Sequence, residues 1–193
     1  SLLRGGMLQA VAGGIAYRAI RNRGTVGGSL AHADPAGDWV LAMSALGAQI
    51  EIAGVAGARR VPLDRIMHGA YTTDLAEGEL ISAVHVPELS DAARWGYHKF
   101  CRKTGEFAEA SCAAVFDPPR KLARVVMGAL DGAPQALPTL ATQVARTGEL
   151  PERAEIQTDV ASAAPTKDAV DRKLLVAAVE RCLQQVLIPE TLQ

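Results

Sequence analysis

Charge of one sign is what this chain most lacks: 20 Lys and Arg against 21 Asp and Glu leave a formal net charge of −1 over 193 residues. Without a Lys/Arg run there is no electrostatic footprint for a phosphate backbone, and nucleic acid is excluded as a partner. No apolar stretch approaches the roughly 18 residues that a bilayer span requires, and no charged segment leads into an apolar core and a small-residue cleavage site. The expectation is therefore a cytoplasmic chain without a membrane span. Cysteine is scarce: Cys101, Cys112 and Cys182 are odd in number and lack metal-ligand spacing, so free buried thiols are expected. His32, His68, His85 and His98 form no His-x-x-x-His pair, which leaves a zinc site without support. The remaining composition, 49% hydrophobic and 21% charged, suits one or two modest domains with an ordinary core.

What is present is concentrated in one run, Arg21-Asn22-Arg23-Gly24-Thr25-Val26-Gly27-Gly28-Ser29-Leu30-Ala31-His32-Ala33-Asp34-Pro35-Ala36-Gly37-Asp38. Gly27 and Gly28 can take positive φ without steric cost, so successive backbone N–H groups can converge on an anion that approaches closely. Thr25 and Ser29 flank them with hydroxyls. Asp38 supplies a carboxylate, which accepts two O–H donors and so suits ribose hydroxyls. The run reads as half of a dinucleotide site, although a diglycine alone more often marks a plain turn.

Along the chain, Leu2 to Ile20 shows helical spacing weakened by Gly5, Gly6, Gly13 and Gly14, and a short helix with an extended lead-in is expected. Asp38 can cap a helix over Trp39 to Leu46, closed by Gly47. Gln49 to Ile52 and Arg59 to Leu63 form a hairpin signature around the Gly54 to Gly57 turn. A helical turn over Asp64 to His68 and a strand from Glu79 to Val86, ended by Pro87, follow. Composition shifts at Glu88 to Ala92, the expected boundary between domains 1–88 and 89–193. Beyond it, Arg94 to Arg102, Ala110 to Phe116 and Lys121 to Leu130 read as three strands, antiparallel because their connections are too short for crossover helices. Ala136 to Arg146 and Lys167 to Leu187 read as helices on one face of that sheet, an α+β arrangement.

The glycine run resembles the second flavin-binding motif of the FAD-binding medium subunits of molybdenum hydroxylases, a family that includes carbon monoxide dehydrogenase and xanthine dehydrogenase. Tyr97-His98-Lys99-Phe100-Cys101-Arg102-Lys103-Thr104-Gly105-Glu106-Phe107-Ala108 is similar to that family's Tyr-x-Lys-x-x-Arg-Arg-x-Gly-Asp-Phe-Ala segment, and Leu75 to Pro87 resembles the strand before it. The likeness runs from about Leu2 to about Leu187. It implies the C-terminal half of a PCMH-type FAD-binding domain, followed by a small three-stranded antiparallel sheet with helices like the CO dehydrogenase flavoprotein C-terminal domain. It also implies FAD as cofactor: Thr25, Val26, Gly27, Gly28 and Ser29 at the pyrophosphate, and Asp38 at the ribose. Ile81 would pack on the ring or the adenine end, Lys99 would be a cation near the cofactor, and Phe107 would lie against the isoalloxazine.

The same resemblance implies an electron-transfer subunit. It would receive electrons from 2Fe-2S clusters on a small subunit, downstream of molybdopterin on a large subunit, and pass them to an external acceptor. No catalytic residue and no metal ligand is expected on this chain, so loop polarity accounts for His32 and Asp34. The family's first flavin loop lies many residues upstream of the second. Ala12-Gly13-Gly14 is followed by Ile15 and Ala16 rather than a hydroxyl residue, and is read as a helix end, so the chain is expected to lack the N-terminal FAD subdomain. The sequence departs from the family pattern at Ser29, Trp39, Glu106 and Ala169-Val170-Asp171-Arg172. Two rival readings stand beside this one: a cofactor-free interaction module that docks in a hydroxylase complex, and an unrelated nucleotide-binding protein, which predicts no likeness over Tyr97 to Ala108.

Overall fold

The computed structural model describes residues 6–188. Helix α1 (Met7–Gly14) buries Met7 and Val11 and ends at the second glycine of its Gly13-Gly14 pair. A single turn, α2 (Arg18–Arg21), leads to α3 (Val26–His32), and α4 (Asp38–Leu46) closes at Gly47, whose φ of +67° is the left-handed C-cap that glycine adopts most readily. Helix α4 buries Val40, Leu41, Ala42, Met43, Ala45 and Leu46. It is apolar nearly all round because it is packed on more than one side.

Strands β1 (Gln49–Gly54) and β2 (Gly57–Pro62) form the expected hairpin. A 3-10 turn over Leu63–Arg65 precedes a small hairpin, β3 (Met67–Gly69) with β4 (Thr72–Thr73). That hairpin is absent from the sequence-based expectation, since strands of three and two residues are too short to show alternation. Strand β5 (Leu80–His85) adds antiparallel to β1, giving the order β2-β1-β5.

The second sheet contains β6 (Arg94–Phe100), β7 (Ala110–Asp117), β8 (Leu122–Gly128) and β9 (Gln135–Ala136), all antiparallel in that order. It has four strands rather than three. The helices are also three where two were expected: α5 (Pro138–Thr147), α6 (Arg153–Ala163) and α7 (Ala169–Leu187). Only Ile156 and Val160 of α6 are buried, too thin an apolar stripe to stand out in sequence.

The expectation that helices cover one face of this sheet is corrected. Cys112, Ala114, Phe116, Val125 and Met127 pack on α5, α6 and α7, while Ala113, Val115 and Val126 join the core around α4. Both faces are covered, which is why every residue of β7 is buried. Strand alternation sends neighbouring residues to different cores. At the start of β6 the chain is held by Asp117, which accepts hydrogen bonds from Ser90 N at 2.9 Å and Ser90 Oγ at 2.5 Å. Cys101, Cys112 and Cys182 are free thiols, Cys112 and Cys182 fully buried.

Candidate functional site

The glycine run does not form the positive-φ loop that its diglycine suggested: neither Gly27 nor Gly28 has positive φ. Both lie in the first turn of α3, where Thr25 is the N-cap and its Oγ1 accepts from Gly28 N at 3.0 Å. The preceding Arg21 donates to the carbonyls of Ile15 and Ala16, so the chain enters α3 from a braced turn. A Cβ on Gly28 would lie 2.8 Å from Thr25 Oγ1, and one on Gly27 would sit 3.5 Å from the Ile81 carbonyl. Gly28 keeps the cap open, and Gly27 seats α3 on β5. Ser29 N donates to the Thr25 carbonyl at 3.1 Å. The first N–H groups of a helix lack intrahelical acceptors, and among the described residues those of Val26 and Gly27 have no partner. Two donors at the positive end of the α3 dipole are thus available to an anion.

The second motif meets the end of the first. Asp38 is the first residue of α4, with Gly37 as the N-cap; its carboxylate does not cap the helix, contrary to expectation. Instead, Oδ1 accepts from Lys99 Nζ at 2.8 Å and from the Tyr97 hydroxyl in a short hydrogen bond. Both ionised side chains are 13% exposed. Lys99 Nζ also donates to the Gly14 carbonyl at 3.0 Å. Lys99, expected as a cation near the cofactor, neutralises Asp38 and ties the end of α1 to β6. Burial, followed by the Asp38 charge, raises the Tyr97 hydroxyl well above its ordinary pKa, so it remains a donor at neutral pH.

Phe107 lies on the loop between β6 and β7 and is 69% exposed. Gly105, two residues earlier, has φ +89°, and a Cβ there would sit 3.0 Å from the Ala16 carbonyl. The loop is thereby pressed on the link between α1 and α2, next to the Gly14 carbonyl that Lys99 holds. Ile81, half-buried on β5, faces α3 at Gly27.

The predicted residues accordingly fall into two groups. Thr25, Val26, Gly27, Gly28, Ser29 and Ile81 build the α3 end, and Asp38, Lys99 and the Phe107 loop gather around Gly14 to Ala16. The links between them are α2, which joins Ala16 to Thr25, and the loop from α3 to α4. Tyr97 and Gly14 were not picked out as site residues in the sequence. The signal for Tyr97 was its i, i+2 spacing from Lys99, which puts both on one face of a strand.

Residues 4–89 match the family model described as the FAD binding domain in molybdopterin dehydrogenase. Over 153 residues the chain is 40% identical to the nicotine 6-hydroxylase medium subunit of Paenarthrobacter nicotinovorans, covering 77% of this chain and 53% of that one. It is 41% identical over 101 residues to the carbon monoxide dehydrogenase medium chain of Hydrogenophaga pseudoflava, covering 52% of this chain and 35% of the other. The chain thus spans between about a third and about half the length of these curated relatives. Among solved structures, carbon monoxide dehydrogenase from Hydrogenophaga pseudoflava lacking the Mo-pyranopterin moiety superposes with TM-score 0.83 at 28% identity, over 96% of this chain and 68% of that one. Quinoline 2-oxidoreductase from Pseudomonas putida 86 superposes with TM-score 0.76 at 28% identity, over 93% and 66%. The motifs, the fold and these likenesses agree: residues 4–89 carry the FAD binding domain found in molybdopterin dehydrogenases, and the chain is a homologue of medium subunits of molybdenum hydroxylases.

Proposed function

We propose that this chain holds FAD for an electron-transfer step in a molybdenum hydroxylase complex. One observation carries the reading: Lys99 and Asp38, contributed by two motifs and 61 residues apart, meet in one ion pair beside the end of α1. The donor set fits the cofactor. The Val26 and Gly27 N–H groups, with the Thr25 and Ser29 hydroxyls beside them, suit a diphosphate bridge. Asp38 suits a sugar hydroxyl through the carboxylate oxygen that Lys99 and Tyr97 leave unengaged. Phe107 offers an exposed flat face to the isoalloxazine, and Ile81 an apolar wall.

Bound flavin would supply the redox chemistry, and the protein's part is placement. The described residues contain no cluster of three or more His, Cys, Asp or Glu able to hold a metal. In this reading electrons come from a small iron–sulfur subunit, downstream of a large molybdenum subunit, and leave to an external acceptor. The relatives named as medium subunits support such an assembly.

Flavin content tests the reading. The purified chain, as it occurs in its natural protein, is expected to show flavin absorbance that is released on denaturation. A colourless protein that still joins a hydroxylase complex would establish the interaction-module reading instead.

A further inference from the structure

We propose that Tyr97 is a positioning residue for Asp38: together with Lys99 it saturates Oδ1 of that carboxylate, so that Oδ2 alone is presented to a sugar hydroxyl of the ligand. The proposal rests on the FAD reading above and adds the residue that gives the acceptor its direction.

A carboxylate turns easily about its last bond, because that torsion has broad, shallow wells. A lysine ammonium does little to stop it, being a compact charge on a flexible stem whose three N–H groups can follow the oxygen. A phenol is different: its oxygen is fixed by a rigid ring, and it has a single O–H to give. Tyr97 and Lys99 stand two residues apart on β6, where they pair with Ala113 and Ser111 of β7, so both project from one face. The backbone beneath Tyr97 is further held by Gln185 of α7, whose side-chain oxygen accepts from Tyr97 N at 2.8 Å. Two donors from one rigid strand therefore converge on Oδ1. Among the described residues Oδ2 receives no hydrogen bond, and the Asp38 side chain remains 13% exposed.

The test is a double-mutant cycle on FAD affinity, read by quenching of flavin fluorescence in the flavin-free protein. Tyr97→Phe is expected to weaken FAD binding about tenfold, the share of one hydrogen bond to a charged group, with a near-native melting temperature. Asp38→Asn should weaken it at least as much. The pair together should be no worse than Asp38→Asn alone, because Tyr97 acts only through Asp38. A p-aminophenylalanine at position 97, which keeps the ring and an N–H donor, should recover most of the affinity. Native affinity in Tyr97→Phe, additive losses in the double variant, or a Tyr97→Phe chain that does not fold would each overturn the proposal. A wild-type protein that takes up no FAD would overturn the functional reading and this inference with it, whereas FAD uptake with additive losses overturns the inference alone.

Discussion

The two faces of the β6 to β9 sheet are built on different principles. Toward α7, Gly96 lets the helix approach so closely that a methyl there would overlap the Cys182 carbonyl, and Cys112, Ala114, Phe116 and Met127 fill a wide apolar interface. Toward α4, the same strands place Ala113, Val115 and Val126 in a second core. At that face's edge Tyr97 and Lys99 of β6 meet Asp38 of α4 in a polar cluster. The apolar face spreads its stabilisation over many side chains. The second face adds, at the edge of its own apolar core, a cluster that relies on a few directional bonds, each of which leaves a stranded group when broken. The candidate chemistry thus sits at the rim of one core, on the side of the sheet away from α7.

The contrast can be broken most severely from the apolar side. Leu183→Ala empties a fully buried position of α7 and is expected to remove about 2–5 kcal/mol from the unfolding free energy. Urea denaturation measures this, and FAD affinity extrapolated to the folded fraction should be unchanged. On the polar side, Lys99→Met strands the Asp38 carboxylate and the Gly14 carbonyl. A loss of about 2 kcal/mol is expected, below the 3–5 kcal/mol of fully buried pairs because both partners keep some solvent. Combining it with Asp38→Asn should recover part of that loss, which a double-mutant cycle in urea would detect.

A third change sharpens the comparison through pH. Burial alone would raise the Asp117 carboxyl, but the Ser90 hydroxyl and amide, with Arg120, outweigh it and hold the pKa below the ordinary carboxylate value. A lowered folded-state pKa gives stability that is present above the unfolded value and lost as pH falls through the folded one. Melting temperature should therefore decline on acidification through and below the ordinary carboxylate range, and Ser90→Ala should flatten that decline. The smallest stability effect is expected at Phe107. Exposed on its loop, Phe107→Ala should shift the unfolding free energy by no more than about 0.5 kcal/mol, yet change the absorbance envelope of bound flavin.

Much of the architecture was readable because its signals are local. The β1 to β2 hairpin stood out from alternation around a glycine turn, and α4 from its closing Gly47. Of the elements that were not anticipated, β3, β4, β9 and α6 carry too few periodic residues to register, while α2 stands where an extended lead-in was expected and α3 where a glycine loop was. Placement of α4 on the second face of the sheet is a tertiary fact with no local signature. At the site, residue types and motif order were legible, whereas two roles were not. Gly27 and Gly28 serve a helix end and its packing rather than a left-handed loop, because Thr25 is in position to cap that helix. Lys99, which in a strand reads as a solvent-facing lysine, is neutralised by an acid 61 positions earlier, and no spacing rule in one sequence connects the two.

Helix α4 is held at both ends by the second sheet: Lys99 and Tyr97 of β6 grip Asp38 at its start, and the Arg124 guanidinium of β8 reaches the Leu46 carbonyl at 3.4 Å over Gly47. Its nine residues therefore work as a gauge of set length. One residue inserted or deleted between the clamps would swing the starting carboxylate by about 100° around the helix axis, off the side that β6 faces. Sequence drift within this helix can exchange its buried side chains only for others that fit the core, and cannot change their number at all.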